Sequence, residues 1–421
     1  MLAYHLYESA HMMMSPARAM SDATHLFYKN PANPLSFTSF GRIMAASCEL
    51  FERATRRYGK PAFDLPSTLV EGVRTPMLER IVWEKPFCKL IHFEKQWSGK
   101  SRQQPRVLIV APMSGHYATL LRGTVEAFLP NHDVFVTDWV DARLVSMSET
   151  FDLDDYIDYV IDMFRHLGPS THVMAVCQPA VPVIAAVARM EAEGDPDVPR
   201  SMTLMGGPID TRCAPTAVNK LAEERGIDWF RRHCIVRVPL AYPGVMREVY
   251  PGFLQLSGFM AMNMDRHVEA HKDMFRHLVK GDGDSADKQR DFYDEYMAVM
   301  DLTAEYYLQT VDTVFVKHSL PKGEMMHRDK PVDLTAIRRA GLMTVEGARD
   351  DISGVGQTQA AHTLCTGLPD DLRKLYVHPE VGHYGVFNGR RFRDDIYPAV
   401  RDFIAQHEAL CAVPERPAAA A

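Results

Sequence analysis

Short apolar runs alternate with stretches of helical period through the middle of the chain. The runs are 106–112 (RVLIVAP), 132–140 (HDVFVTDWV), 172–176 (HVMAV) and 201–205 (SMTLM). The first of them shows no polar alternation, as expected of a parallel strand covered on both faces. Between them lie 120–129, 151–167 and an Ala/Val-rich stretch reaching about residue 193. In the second of these, Leu153, Tyr156, Ile157, Val160, Ile161 and Phe164 share one helical face. Strand, helix, strand, helix in this rhythm predicts a mostly parallel sheet with helices on both faces. The stretch 87–97 (FCKLIHFEKQW) alternates more clearly and predicts an antiparallel or edge strand.

The rhythm stops after residue 205. Residues 210–333 read as mostly helical and rich in aromatics and methionine, as in 253–264 (FLQLSGFMAMNM). Strand-like runs return at 342–346 (LMTVE) and 374–378 (KLYVH), and a helix over 397–410 closes the pattern. A helical block inserted before the last two strands predicts a cap over the C-terminal strand ends, where open α/β sheets bind ligands. Residues 1–80 also read as helical. Tyr4, Leu6, Tyr7, His11 and Met14 are expected on one face; PANP at 31–34 breaks the run; 39–58 forms a second helix with Phe40, Ile43, Met44, Cys48, Phe51 and Ala54 at helical spacing. These helices form either a layer packed on the main domain or an amphipathic surface for an apolar partner or particle. The expected division is an N-terminal helical segment (1–80), the first part of the core (81–209), the cap (210–333), the last part of the core (334–412) and a disordered tail (413–421).

A formal net charge of −7 argues against a nucleic-acid partner, since no basic run offsets it. The seven cysteines are odd in number, scattered and without a CxxC pair. That suggests reduced thiols in a cytoplasm and no zinc-type spacing. The first twenty residues carry His5, Glu8, His11 and Arg18 and do not read as a secretory signal. No stretch reaches the roughly 18 apolar residues of a membrane span.

One reactive side chain stands at the junction of a strand and a helix. The strand 172–176 ends at Cys177, and Gln178-Pro179 lead into the Ala/Val-rich helix. This is the layout of a nucleophile elbow. A thiol at a helix N-terminus feels the positive end of the helix dipole, which favours thiolate. Ala175 is small, and proline suits a first helical turn. The usual Gly-x-Ser-x-Gly flanks are absent, and a buried, inert core cysteine has the same local signature.

An elbow nucleophile needs a base and an orienting acid, which in this topology follow in the order nucleophile, acid, histidine. After LMTVE comes Gly347-Ala348-Arg349-Asp350-Asp351, and after KLYVH comes Pro379-Glu380-Val381-Gly382-His383. Asp350 is the preferred acid, a few residues beyond its strand, with Asp351 as the rival; either could instead cap a helix. His383 is preferred over His378, which lies within the strand. The oxyanion donors are expected to be the N–H of Gln178 and that of Met113, on the loop Pro112-Met113-Ser114-Gly115-His116. Ser114 is a rival nucleophile without an elbow, and His116 is a substrate contact or a plain loop residue.

With these residues in place, the chain resembles the intracellular, thiol-dependent poly(3-hydroxybutyrate) depolymerases. The resemblance rests on AVCQPAVP around Cys177, TDWVDARLV at 137–145, LMGGPIDTR at 204–212, EGARDDISGVGQT at 346–358 and VGHYGVFNGRRF at 381–392. It implies an α/β-hydrolase fold and a triad of Cys177, Asp350 and His383 that uses neither metal nor cofactor. It also implies an amorphous polyester substrate on cytoplasmic storage granules, with ester bonds cut to 3-hydroxybutyrate and its oligomers. A homo-oligomer is compatible with it. Polyester synthases share a similar Cys-Asp-His arrangement, so the triad does not separate breaking the polymer from making it. A granule-coating protein without catalysis is a third reading.

Overall fold

The computed structural model describes residues 2–412 apart from 98, 100, 101 and 263; the tail expected to be disordered, 413–421, lies outside the described residues. Nine strands form the main sheet: β1 (Ser67–Val70), β2 (Val73–Lys85), β3 (Cys88–Lys95), β4 (Arg106–Val110), β5 (Asp133–Trp139), β6 (Thr171–Val176), β7 (Ser201–Met205), β8 (Gly341–Gly347) and β9 (Arg373–His378). Their order is β1-β2-β3-β5-β4-β6-β7-β8-β9. The pairs β1/β2, β2/β3 and β3/β5 are antiparallel, and every pair from β5 onward is parallel. This is the α/β-hydrolase fold, with helices on both faces of the sheet and a cap before the last two strands.

The apolar runs have the burial they predicted. All six residues of β6 and all five of β7 are buried. The helix between β5 and β6, α4 (Leu153–Leu167), starts on a reciprocal capping box: the Asp155 N–H donates to the Asp152 carboxylate and the Asp152 N–H to that of Asp155. It stops at Gly168, φ +82°. The helix after β6, α5 (Ala180–Ala192), is buried from Ala180 to Met190, which explains why its sequence shows no polar face.

The boundary expected at residue 80/81 falls inside β2. Residues 67–85 form an antiparallel hairpin, not helix. Along β2 only Thr75 is buried, so the strand lacks an apolar alternation to announce it. The helices before it are α1 (Leu2–Lys29) and α2 (Ser39–Thr55). On α1, Tyr4 is buried and Tyr7, His11 and Met14 are half-buried on its side, but Leu6 is 61% exposed. On α2 the inward side is Gly41, Ala45 and Ala46; Phe40, Ile43 and Phe51 are exposed. The layer rests chiefly on the cap. The Tyr4 hydroxyl donates to Asp301 Oδ2 at 2.8 Å, Tyr7 stacks on Phe253, and Arg53 pairs with Asp294.

The cap contains α6 (Ala217–Cys234, kinked at Gly226), α7 (Gly252–Met262), α8 (Met264–Lys280), α9 (Gly283–Tyr296) and α10 (Ala304–Thr310). Three strands of two or three residues, Val236–Arg237, Glu248–Tyr250 and Leu302–Thr303, close its base as a small antiparallel sheet. The stem returning from α9 is fastened to the core: the Met300 N–H donates to the Gly115 carbonyl at 2.7 Å. That places the cap directly over the loop after β4.

Candidate active site

Cys177 follows the last residue of β6 and has φ +68°. A side chain in the left-handed region costs roughly 1–2 kcal/mol, so the surrounding structure must hold it there. Two bonds do so. The Cys177 N–H donates to the Met205 carbonyl at 2.7 Å, and the Cys177 carbonyl accepts from the Ala180 N–H at 3.1 Å. The strain tips the sulfur out of the strand and toward the cap, as an elbow does.

Gly206-Gly207 at the end of β7 make room for this bend. A Cβ on Gly207 would stand 2.2 Å from the Ala180 Cβ and 3.0 Å from the Cys177 carbonyl oxygen. Gly206, φ +56°, passes close beneath the other site residues: a Cβ there would lie 3.4 Å from Asp350 Oδ2 and from His383 Cε1. The GGP at 206–208 carried this signal, although only the strand before it was read. Gly207→Ala is therefore expected to push the elbow apart, cost about 1–3 kcal/mol and remove most activity. Thermal unfolding and turnover of the purified variant check both; a fully active, equally stable variant would contradict the packing.

The acid and the histidine arrive on two loops that dock face to face. Ala348 N–H donates to the His378 carbonyl at 2.9 Å and Arg349 N–H to the Val381 carbonyl at 3.0 Å. Gly347 permits this, since a Cβ there would lie 2.5 Å from the Val381 oxygen. Asp350 Oδ2 then accepts from His383 Nδ1 at 2.8 Å. Its Oδ1 accepts from the N–H groups of Ile352 and Ser353, both at 2.8 Å. Asp350 thus both caps a local turn and meets the imidazole. Asp351 is exposed, and its charge is felt at Tyr296 and Tyr384. His378, the rejected histidine, pairs with Asp395 and accepts from the Glu380 N–H.

His383 is 6% exposed, and the Cys177 side chain is near enough to act on its imidazole. Burial alone would lower its pKa. The charges of Cys177 and Asp350 and the bond to Asp350 outweigh burial and hold the imidazolium well above the ordinary histidine range. A carboxylate only accepts, so Nδ1 carries a hydrogen toward Asp350.

A residue not anticipated from the sequence supports this geometry. Glu346, 1% exposed in β8, accepts from the N–H groups of Gly356 (2.9 Å), Thr358 (2.7 Å) and Gln359 (3.0 Å) and from Gln359 Nε2 (2.7 Å). It pins the far end of the loop that begins at Gly347 and carries Asp350.

Cys177 and His383 open onto a cavity of about 480 Å³ between core and cap. Leu221, Phe230, Phe259, Tyr306, Val311 and Phe315 of the cap give it an apolar wall. Met113, Ser114, His116 and Gln178 border it from the core. Among the described residues, the N–H groups of Met113 and Gln178 have no acceptor. Ser114 lies at the cavity on the loop after β4, away from the elbow.

Known proteins resemble the chain as follows. A family model described as "PHB de-polymerase C-terminus" matches residues 206–408, a span that includes Asp350 and His383 but begins after Cys177. The poly(3-hydroxyalkanoate) polymerase subunit PhaC of Haloferax mediterranei is 20% identical over 343 residues, covering 79% of this chain and 64% of that protein. The chain therefore spans just under two thirds of that relative's length. Among solved structures, a meta-cleavage product hydrolase from Pseudomonas fluorescens aligns at 14% identity with TM-score 0.41, covering 81% of this chain and 97% of its own. A thermophilic esterase from Thermogutta terrifontis aligns at 12% identity with TM-score 0.41, covering 79% and 98%. Among the described residues no helix is long and apolar enough to cross a membrane.

Proposed function

We propose that the protein is a thiol ester hydrolase that depolymerises poly(3-hydroxyalkanoate), poly(3-hydroxybutyrate) in the first instance, at the surface of storage granules. The observation that carries this reading is the grouping of Cys177 and the bonded pair His383–Asp350 at the mouth of an apolar cavity. The polyester comes from the family-model match over residues 206–408, which include Asp350 and His383. An apolar wall suits a chain of ester units without charge.

In the proposed mechanism the Cys177 sulfur attacks the ester carbonyl, and the N–H groups of Gln178 and Met113 receive the oxyanion. One such donor is typically worth about 10²–10³ in rate. As the tetrahedral intermediate collapses, the C–O bond breaks and His383 gives its proton to the leaving alkoxide, leaving an acyl thioester on Cys177. His383 then takes a proton from water, the hydroxide attacks the thioester, and the C–S bond breaks to release the acid and restore the Cys177 thiolate beside the His383 imidazolium. Asp350 holds the imidazole in the tautomer this requires.

A second reading has its own support in the polymerase-subunit relative: the same thiol could accept an acyl group from a coenzyme A thioester and pass it to a hydroxyl. Acid release from amorphous poly(3-hydroxybutyrate) granules by wild type and Cys177→Ser, each with and without coenzyme A, separates them. Release by wild type alone without coenzyme A is the expected result. Release only with coenzyme A, as an acyl thioester, would move the assignment to acyl transfer. No release at all would withdraw the polymer as substrate.

A further inference from the structure

Among the polar side chains of the cavity that take no part in the steps above is His116. His116 lies on the loop after β4, is 2% exposed and borders the cavity that Cys177 and His383 open onto. Its Nε2 is 3.1 Å from the Tyr296 carbonyl oxygen. A carbonyl only accepts, so Nε2 carries the ring hydrogen. Burial pushes the imidazole pKa down to about 4, and the ring is neutral near pH 7 with a lone pair on Nδ1. Among the described residues no donor meets that nitrogen. The rings of Phe259 and Tyr296, with centroids 5.4 and 5.3 Å away, hold the imidazole between the core loop and the cap. Gln255 Nε2 is committed elsewhere, donating to the Tyr250 and Met300 carbonyls. An acceptor at the edge of an apolar-walled cavity is a place for a ligand to supply a donor.

We propose that His116 Nδ1 accepts a hydrogen bond from a free hydroxyl of the bound acyl chain, so that the site selects hydroxyacyl ends over acyl groups without one. The proposal rests on the ester-hydrolase reading of the same site. A neutral O–H fits a neutral acceptor, whereas a carboxylate, which only accepts, gains nothing there. His116 is in this view a specificity-determining residue, and the enzyme works from hydroxyl-bearing chain ends and short oligomers.

The test compares ethyl 3-hydroxybutyrate with ethyl butyrate, in kcat/KM for wild type and in affinity for the Cys177→Ala protein. Wild type is expected to favour the hydroxy ester about tenfold beyond the intrinsic reactivity ratio, the size of one hydrogen bond made in a desolvated site. His116→Gln can still present an N–H to the Tyr296 carbonyl but offers nothing at Nδ1, and its ratio is expected to fall to near one. His116→Asn can place a carbonyl oxygen close to Nδ1 and is expected to keep part of the preference. The ratio is the readout because a general loss of activity does not move it. No preference in wild type, or a preference retained by His116→Gln, overturns the proposal. If wild type hydrolyses neither ester, the hydrolase reading fails, and the affinity ratio of Cys177→Ala against the Cys177→Ala/His116→Gln double variant still decides the role of His116.

Discussion

Cys177→Ala is expected to lower ester hydrolysis by at least about 10⁴-fold while leaving the fold intact. The size follows from the role: without the sulfur there is no acyl-enzyme, and only the oxyanion donors and the cavity remain to act on a water attack. The intact fold follows from the backbone. Alanine at φ +68° is strained as much as cysteine is, so the substitution removes one half-buried sulfur and little else. A melting temperature within a few degrees of wild type is expected. Cys177→Gly sharpens the test. It relieves the roughly 1–2 kcal/mol of left-handed strain against about 0.5–1 kcal/mol of extra glycine entropy, so it should be no less stable than Cys177→Ala and just as inactive. An inert core cysteine would give the opposite pair of results, with activity kept in both variants and stability lost in step with the volume removed. Turnover of a soluble ester and thermal unfolding of the three proteins distinguish the cases.

The parts of this arrangement that were legible in the sequence are those with a local cause. β6 and β7 are covered on both faces, so neither sequence carries an Asp, Glu, Lys or Arg. α4 is half-covered and opens on a capping box, so its period and its start are both written locally. Cys177, Asp350 and His383 could be singled out because each follows a strand in a fixed order. The illegible parts depend on contacts distant in sequence. Glu346 sits in an apolar strand with no sign that ten residues later the chain returns to donate to its carboxylate. Gly207 and Gly347 are small because Ala180 and Val381 come against them, and neither neighbour is near in sequence. The hairpin at 67–85 is hidden for a different reason: β2 is open to solvent along most of its length, and Pro76 and its charged residues mask the period. On α1 the expected face holds except at Leu6, whereas on α2 the expected Phe40, Ile43 and Phe51 face outward, because both sides of these helices carry apolar residues. Met12, Met13, Phe37 and Phe40 remain exposed, while the buried side is set by Phe253 and Asp301 of the cap, far along the chain.

Asp350→Asn is expected to reduce kcat by roughly 10³–10⁴-fold and, more tellingly, to move the alkaline limb of the pH profile to lower pH. The direction comes from the balance at His383. Burial disfavours the imidazolium; Cys177 and Asp350 together outweigh it and raise the pKa well above the ordinary range. The competent pair is thiolate and imidazolium, so activity is lost as pH rises through the His383 pKa. In wild type that limb lies well to the alkaline side of about 6.5, the value for free histidine. Asparagine keeps a polar atom opposite Nδ1 but removes the carboxylate charge, which leaves burial opposed by Cys177 alone, and the limb descends toward neutrality. The same balance appears in stability. A histidine whose pKa is raised on folding contributes stability that is fully present below the unfolded value and is lost as pH climbs through the folded one. Wild type should therefore lose part of its melting temperature across that alkaline window, and Asp350→Asn should show the loss earlier and smaller. An unmoved limb together with an unchanged pH dependence of melting would mean that Asp350 only caps its turn, through Ile352 and Ser353, and that the imidazole is oriented by something else.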